Sequence, residues 1–512
     1  MLGPGCTAGT ASVKQLSGLD ALFVYLESPA TPMHIGSLCI YDQSTAPGGT
    51  VGFKDIIRFF DERLHNADTF RRKLVEVPLS LGHPYWIEDP EFDLEFHLRH
   101  IALPKPGDWR QLCILTARLF SRPLDIKRPL WEAWVIEGLD NVEGVPKNSF
   151  ALVTKLHHAA IDGISGAKIA AAVHDYSPDA EATPPVEPWV PERQPTAVEM
   201  LARNTLNDLR LPMRLGRLAV DGTKSLARLA TGLATRKLSL PSGAPRTRFN
   251  RNVSSYRVFD AATLDLTEIK KMKSLVEGAT VNDVLMTICG GALRKYLASK
   301  DELPEESLVA MVPMSIRPDE RMRSEGNLVS VLSVPVRSDI ADGVDRLRAV
   351  HVESINAKKF TFTAGPQVGM DLAEIAPSTT SGLVASAYGK LRLAERLRPT
   401  FNTVITNVPI GDATLYSMGS KMVAYFGLGP VYHGVGLFQS LISYGGKVTV
   451  NVVSCRAIMP DPASYCDYIR ETYEELRTAV AEMDQPTPKK TRRKTTRRAS
   501  GKAAKASPSQ AS

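Results

Sequence analysis

The chain has 512 residues, 43% of them hydrophobic and 23% charged, a balance that supports two or more packed domains and excludes a fibrous or wholly disordered polymer. Its formal net charge is +7, but nine Lys or Arg and no Asp or Glu fall from Lys489 onward, so residues 1–488 carry −2 (+7 less 9). The basicity belongs to the C-terminal stretch.

The six cysteines, Cys6, Cys39, Cys113, Cys289, Cys455 and Cys466, form no C-x-x-C pair and sit mostly in apolar runs, which reads as reduced, buried thiols of a cytoplasmic protein. The opening residues MLGPGCTAGTASVKQ lack a charged segment followed by an apolar one. No uncharged apolar run approaches the roughly 20 residues a membrane-spanning helix needs. Membrane contact is therefore expected to be peripheral.

In chain order, EFDLEFHLRHIAL places Phe92, Leu94, Phe96 and Leu98 at alternate positions, the period of a half-buried strand. WRQLCILTARLF, Trp109 to Phe120, has helical spacing. SFALVTKLHH, Ser149 to His158, is a short apolar strand, Asp162-Gly163 a turn signal, and SGAKIAAAVHDY an Ala-rich helix. YSPDAEATPPVEPWVPERQP, from Tyr176, is rich in Pro and acid and marks a linker. Leu201 to Leu240 sets eight basic residues (Arg203, Arg210, Arg214, Arg217, Lys224, Arg228, Arg236, Lys237) against Asp208 and Asp221. This basic amphipathic segment fits a solvated helix or one lying on anionic lipid.

From about Arg246, TVNDVLMTICGGALRKYLAS reads as a buried helix, SLVAMVPMSIR, NLVSVLSVPV and FNTVITNVPI as strands, and GLFQSLISYGGKVTVNVVSC as a hairpin about Gly445-Gly446. DPASYCDYIRETYEELRTAVAEM closes as an amphipathic helix. The expected domains are residues 1–185, a linker with the basic segment over 186–245, residues 246–485, and a disordered basic tail over 486–512. The tail carries no aromatic residue to stack on bases, which favours anionic lipid over nucleic acid as its partner.

KLHHAAIDGISG, Lys155 to Gly166, carries the candidate chemistry. On a strand, neighbouring side chains point to opposite faces, so His157 and His158 are poorly placed to share one metal ion. If the stretch were helical, His158 and Asp162 could supply two ligands, but zinc usually takes at least three from protein and no nearby motif adds one. Two imidazoles and a carboxylate at the end of an apolar strand are unfavourable unless paired, and such clusters gather at working sites. A neutral imidazole suits proton abstraction near pH 7. No G-x-S-x-G elbow, phosphate-binding loop or dinucleotide fingerprint accompanies it. A base without an evident nucleophile points to direct attack by a bound substrate.

HHAAIDG, His157 to Gly163, resembles the HHxxxDG motif of the bacterial wax ester synthase/diacylglycerol acyltransferase family. Its company narrows the match: LDALFVYLESPATPMHIGSL, FDLEFHLRHIALP, RPLWEAWVIEGL, TVNDVLM, PMSIR, GNLVS and TNVPI occur in the family's order over roughly residues 15–480. One departure is Ile410, where the family more often has Gly. The resemblance implies a mixed α/β (α+β) fold of two coenzyme A dependent, chloramphenicol acetyltransferase-like domains with the site in a tunnel between them. It implies His158 as the base, Asp162 as a structural anchor, His157 as loop support and Gly163 as the residue permitting the tight turn. Asn282 is a candidate oxyanion donor, a buried helix cap being the competing explanation, and Trp131 a packing residue. Acyl-coenzyme A would be a substrate, with no cofactor or metal. Diacylglycerol, a long-chain alcohol or both would accept the acyl group, at the inner face of the plasma membrane or a lipid inclusion. A noncatalytic scaffold at lipid inclusions and a condensation-type enzyme using carrier-protein thioesters are the competing functions.

Overall fold

The structure is a computed structural model that describes residues 14–78, 82–161, 193–208, 243–315, 329–364 and 387–483 continuously, with short stretches between 169 and 191 and between 223 and 238. Two six-stranded mixed sheets form its frame. The first runs in the order β12 (Tyr416–Ser417), β13 (Ser420–Leu428), β2 (His34–Asp42), β7 (Ser149–His157), β6 (Trp131–Glu137), β5 (Leu98–Ala102). The second runs β10 (Val329–Pro335), β9 (Val309–Ser315), β11 (Thr403–Gly411), β14 (Leu437–Tyr444), β15 (Lys447–Cys455), β8 (Arg257–Asp265). A small sheet of β1 (Lys14–Gln15), β4 (Tyr85–Glu88) and β3 (Arg72–Val75) flanks them.

Helices among the described residues include α1 (Gly18–Leu26), α2 (Phe53–Asp61), α3 (Leu94–His97), α4 (Trp109–Phe120), α5 (Ala197–Asp208), α6 (Leu266–Met272), α7 (Val281–Ala298), α8 (Gly343–Ala364) and α9 (Pro462–Met483). The apolar spacing of α4 buries Leu112, Cys113 and Phe120, while Asp108 caps its start by accepting from the Gln111 amide at 2.8 Å. The β14–β15 hairpin turns on Gly445 and Gly446 at φ 55° and 76°, the left-handed pair that a two-residue hairpin of the right twist requires.

Two features cross between the halves. β13 follows most of the second sheet in sequence yet pairs antiparallel with β2 of the first, Tyr425 opposite Cys39. α4 also packs on β8, where Trp109 Nε1 donates to Asp260 at 2.8 Å. One hydrophobic core consequently joins Leu38, Ile40 and Val153 to Ala262, Leu285 and Val450. The five described cysteines are free and buried.

The alternating run at Phe92 to Leu98 departs from the strand expected of it. Asp93 accepts from the Glu95 amide at 3.0 Å and caps the single turn α3, and the strand begins only at Leu98. The apolar alternation survives as a helical turn because His97 swings inward to bond the Trp131 carbonyl at 2.7 Å. α5, which overlaps the start of the basic segment, packs Met200 against Val77 and Tyr85. Lys224 and Arg228 are exposed. Arg210, Arg214, Arg217, Arg236 and Lys237 lie outside the described residues, as does the tail.

Candidate active site

β7 is buried almost throughout, and it delivers His157 and His158 to the point where the chain leaves the sheet. His157 ends the strand directly opposite His34 of β2. Its Nδ1 accepts the backbone amide of Ala159 at 3.1 Å, capping the short turn His158–Ala160. The ring proton must then sit on Nε2, which donates to Glu27 Oε2 at 3.0 Å. With both nitrogens engaged and its side chain about 2% exposed, His157 has no lone pair left to take a proton from a substrate.

His158 is held differently. Its backbone amide donates to the Met33 carbonyl at 2.8 Å, and its ring stacks on Phe23 of α1 with centroids 3.8 Å apart and planes 14° from parallel. Burial pushes its pKa down to about 4, with a smaller push from His157, against a lift from its own backbone carbonyl. The ring is therefore neutral at pH 7. Nδ1 is buried and has no hydrogen-bond partner among the described residues.

The surroundings supply orientation. His34 Nε2 donates to the Phe120 carbonyl at 2.7 Å, and burial drives its pKa well down. Lys155, fully buried in the same strand, is satisfied by Glu132 at 3.1 Å and by the Arg122 carbonyl at 2.8 Å. From the second half, Arg257 opens β8 and donates from Nη2 to the Ala30 carbonyl at 2.6 Å. A single loop after α1 thus carries Glu27, Ala30 and Met33, which hold His157, Arg257 and His158 respectively.

Asp162 and Gly163 lie outside the described residues. Asn282 occupies the second position of α7, but Thr280 is the cap: it accepts from the Asp283 amide, and Asp283 bonds back to it. The cap explanation for Asn282 therefore fails. Its Oδ1 instead accepts from Asn407 Nδ2 at 3.4 Å. Asp283 is fixed further by His351 Nδ1 at 2.9 Å. Trp131 is a packing residue, stacked on His97 and donating to the Phe70 carbonyl at 2.9 Å. Beside Asn407, the β11–β14 register slips between Pro409 and Gly411, around Ile410, and Gly411 takes φ 111°.

Glu27 and His34 escaped the reading of the sequence. Glu27 lies 130 residues before its partner, and the only signal for it was an acid directly after an apolar helix in the LDALFVYLESPATPMHIGSL stretch. Among the described residues no group of three or more His, Cys, Asp or Glu could hold a metal ion.

Two mixed sheets thus share a strand from the later half of the chain, and a neutral histidine stands at the exit of a central strand of the first. Residues 16–285 match the wax ester synthase/diacylglycerol acyltransferase catalytic domain, and residues 325–477 match the C-terminal domain of the same family. The chain belongs to that family. A Mycobacterium tuberculosis relative is 33% identical over 473 residues, 91% of each chain. A second from that organism is 32% identical over 485 residues, 93% of this chain and 99% of the other. Both bear provisional diacylglycerol O-acyltransferase names. The wax ester synthase/diacylglycerol acyltransferase of Marinobacter aquaeolei superposes with a TM-score of 0.63 at 26% identity, covering 91% of this chain and 100% of that one. The starter condensation domain of rhizomide synthetase shares the fold at a TM-score of 0.53 and 15% identity, over 93% of this chain and 96% of that one. No helix among the described residues is long and apolar enough to cross a membrane.

Proposed function

We propose that this acyltransferase moves a long-chain acyl group from acyl-coenzyme A to the free hydroxyl of diacylglycerol, of a long-chain alcohol, or of both, with His158 as general base and no cofactor. The observation that carries the reading is the state of His158: half-buried, kept unprotonated, stacked on Phe23, and with a buried Nδ1 that has no partner among the described residues. In the proposed reaction His158 Nε2 takes the hydroxyl proton as that oxygen attacks the thioester carbon. The carbonyl oxygen becomes an oxyanion, collapse breaks the carbon–sulfur bond, and the imidazolium returns the proton to the departing thiolate. The products are the ester and coenzyme A.

Asn282 is the proposed oxyanion donor. With Oδ1 accepting from Asn407, its Nδ2 protons are directed away from that bond, and one such donor is worth roughly 10²- to 10³-fold in rate. Asp162 is the proposed anchor of the loop after His158, and Gly163 its turn. The names of the Mycobacterium tuberculosis relatives favour diacylglycerol as the first acceptor to test. The exposed Lys224 and Arg228, with Leu226 67% exposed between them, are consistent with the proposed contact with an anionic lipid surface.

The deciding experiment supplies purified protein with palmitoyl-coenzyme A and either diacylglycerol or hexadecanol and identifies the lipid product. Triacylglycerol or wax ester, lost in a folded His158→Ala protein, is the expected result. Ester formation that survives that substitution would overturn the base assignment. Failure of both acceptors in wild type would overturn the substrate reading.

A further inference from the structure

We infer that the concave site ringed by Arg246, Arg248, Arg251 and Arg392 binds a phosphate monoester. The site encloses about 630 Å³ between the segment that leads into β8 and the turn at residues 392–395. Its two carboxylates are already matched. Glu302 accepts from Arg248 Nε at 2.6 Å and Nη2 at 3.0 Å. Glu395 accepts from Arg392 Nη2 at 2.6 Å and from the Asn252 amide at 3.3 Å. These partners hold both carboxyls below their ordinary range, so neither is free to take up a proton and draw the pocket further positive near pH 7.

The remaining guanidinium groups form no ion pair of their own among the described residues, although Arg251 also lies close enough to act on Glu302 and Glu395 through space. Arg246 is pinned by the carbonyls of Ala394, Glu395 and Leu397, which fix its position without neutralising it. The Arg251 side chain, exposed in the pocket wall, bonds no described residue. Four guanidinium groups against two carboxylates leave +2, which complements the roughly −1.5 to −2 of a phosphate monoester near neutral pH. The planar guanidinium fork matches phosphate oxygens pairwise. Arg392 is also held at φ 51°, a left-handed conformation uncommon outside glycine and found enriched where a side chain is aimed for a purpose.

The position of the pocket connects it to the reaction. Six residues beyond Arg251, Arg257 reaches the Ala30 carbonyl, in the loop whose Met33 carbonyl holds the His158 amide. That stretch of chain spans at most about 20 Å from Arg251 to Arg257. The 3′-phosphate of the coenzyme nucleotide is the phosphate we infer for the arginines. This source of the phosphate rests on the acyl-coenzyme A reading; a lipid with a monoester phosphate headgroup presents the same chemistry.

The test is equilibrium binding to the full-length protein, without turnover. Coenzyme A, dephospho-coenzyme A and inorganic phosphate are titrated calorimetrically into wild type, Arg251→Ala and Arg392→Ala. Wild type is expected to bind coenzyme A about 10-fold or more tightly than dephospho-coenzyme A, the worth of a charge-assisted contact. That ratio should fall toward unity in both variants, and inorganic phosphate should compete in wild type only. A second arm uses phosphatidylcholine vesicles with and without phosphatidate. A phosphatidate preference lost in Arg251→Ala, with no coenzyme discrimination, supports the monoester site and overturns the nucleotide as its source. If wild type shows neither preference, or both variants keep what wild type shows, the site itself is overturned. Because no product is measured, a failure of acyl transfer from palmitoyl-coenzyme A is seen separately from a failure of this pocket.

Discussion

Replacing Glu27 by alanine removes the carboxylate that accepts the His157 Nε2 proton at 3.0 Å and leaves a nearly fully buried imidazole N–H without a partner. A hydrogen bond to a charged group in such a place is worth about 1.5–3 kcal/mol, so Glu27→Ala should lose that much stability in urea unfolding. The consequence for catalysis runs through the backbone. His157 uses its other nitrogen to cap the turn that begins with His158; once the ring is free to rotate, the cap loosens and the base moves. A misplacement on the order of 1 Å can cost about 10²-fold in rate, so kcat should fall by roughly 10- to 100-fold while the affinity for acyl-coenzyme A is kept. Glu27→Gln, which retains an acceptor but not the charge, should fall between the two. The assay pairs steady-state kinetics on palmitoyl-coenzyme A with direct ligand binding, and a Glu27→Ala/His157→Ala double variant no worse than His157→Ala alone would show that both act along one path. Wild-type kcat in a folded Glu27→Ala protein would refute this chain of reasoning.

His158→Ala should lose about 10²- to 10⁴-fold in kcat with the fold intact, the range typical of a general base, and His157→Ala should cost less; the reverse order in folded variants would exchange their roles. Because His158 has a folded pKa of about 4 against an ordinary 6.5, the unfolded chain binds more protons between those values, so stability is full above about pH 6.5 and is lost as the pH falls through 4. The span corresponds to about 3 kcal/mol from this one group, and acid unfolding of His158→Ala should be correspondingly shallower; an unchanged acid limb would contradict the burial argument. The same depressed pKa predicts kcat/KM that stays flat from pH 8 to about pH 5, and a decline centred at pH 6.5 or above would show that the base is solvated. Deleting residues 486–512 should reduce salt-sensitive binding to anionic vesicles, since each of the nine basic residues lost contributes about 1 kcal/mol near such a surface; equal binding at low salt would remove that role from the tail.

What could be read from the sequence was what is decided locally. α4 and α7 follow from apolar spacing and caps, α9 from apolar spacing, the β14–β15 hairpin from its glycine pair, and β7 from a largely apolar run. The failure at residues 92–98 has the same origin in reverse. Alternation of apolar side chains is compatible with a turn of helix when a neighbour rewards it, and the reward here, the Trp131 carbonyl on His97, lies 34 residues away.

The candidate site divides along the same line. His157 and His158 announce themselves because two imidazoles interrupt an apolar strand, a local anomaly. Their distinction does not, because it depends on partners supplied by register and by a distant loop: Ala159 and Glu27 occupy both nitrogens of one ring, while Phe23, Met33 and burial leave the other neutral with a lone pair. The exchange of β13 into the first sheet and the reach of Arg257 to Ala30 are equally long-range. Together they tie the loop that orients both histidines to the half of the chain carrying Asn282 and the arginine pocket. A substitution at the start of β8, such as Arg257→Met, would therefore act on His158 through Ala30 and Met33 without touching a substrate.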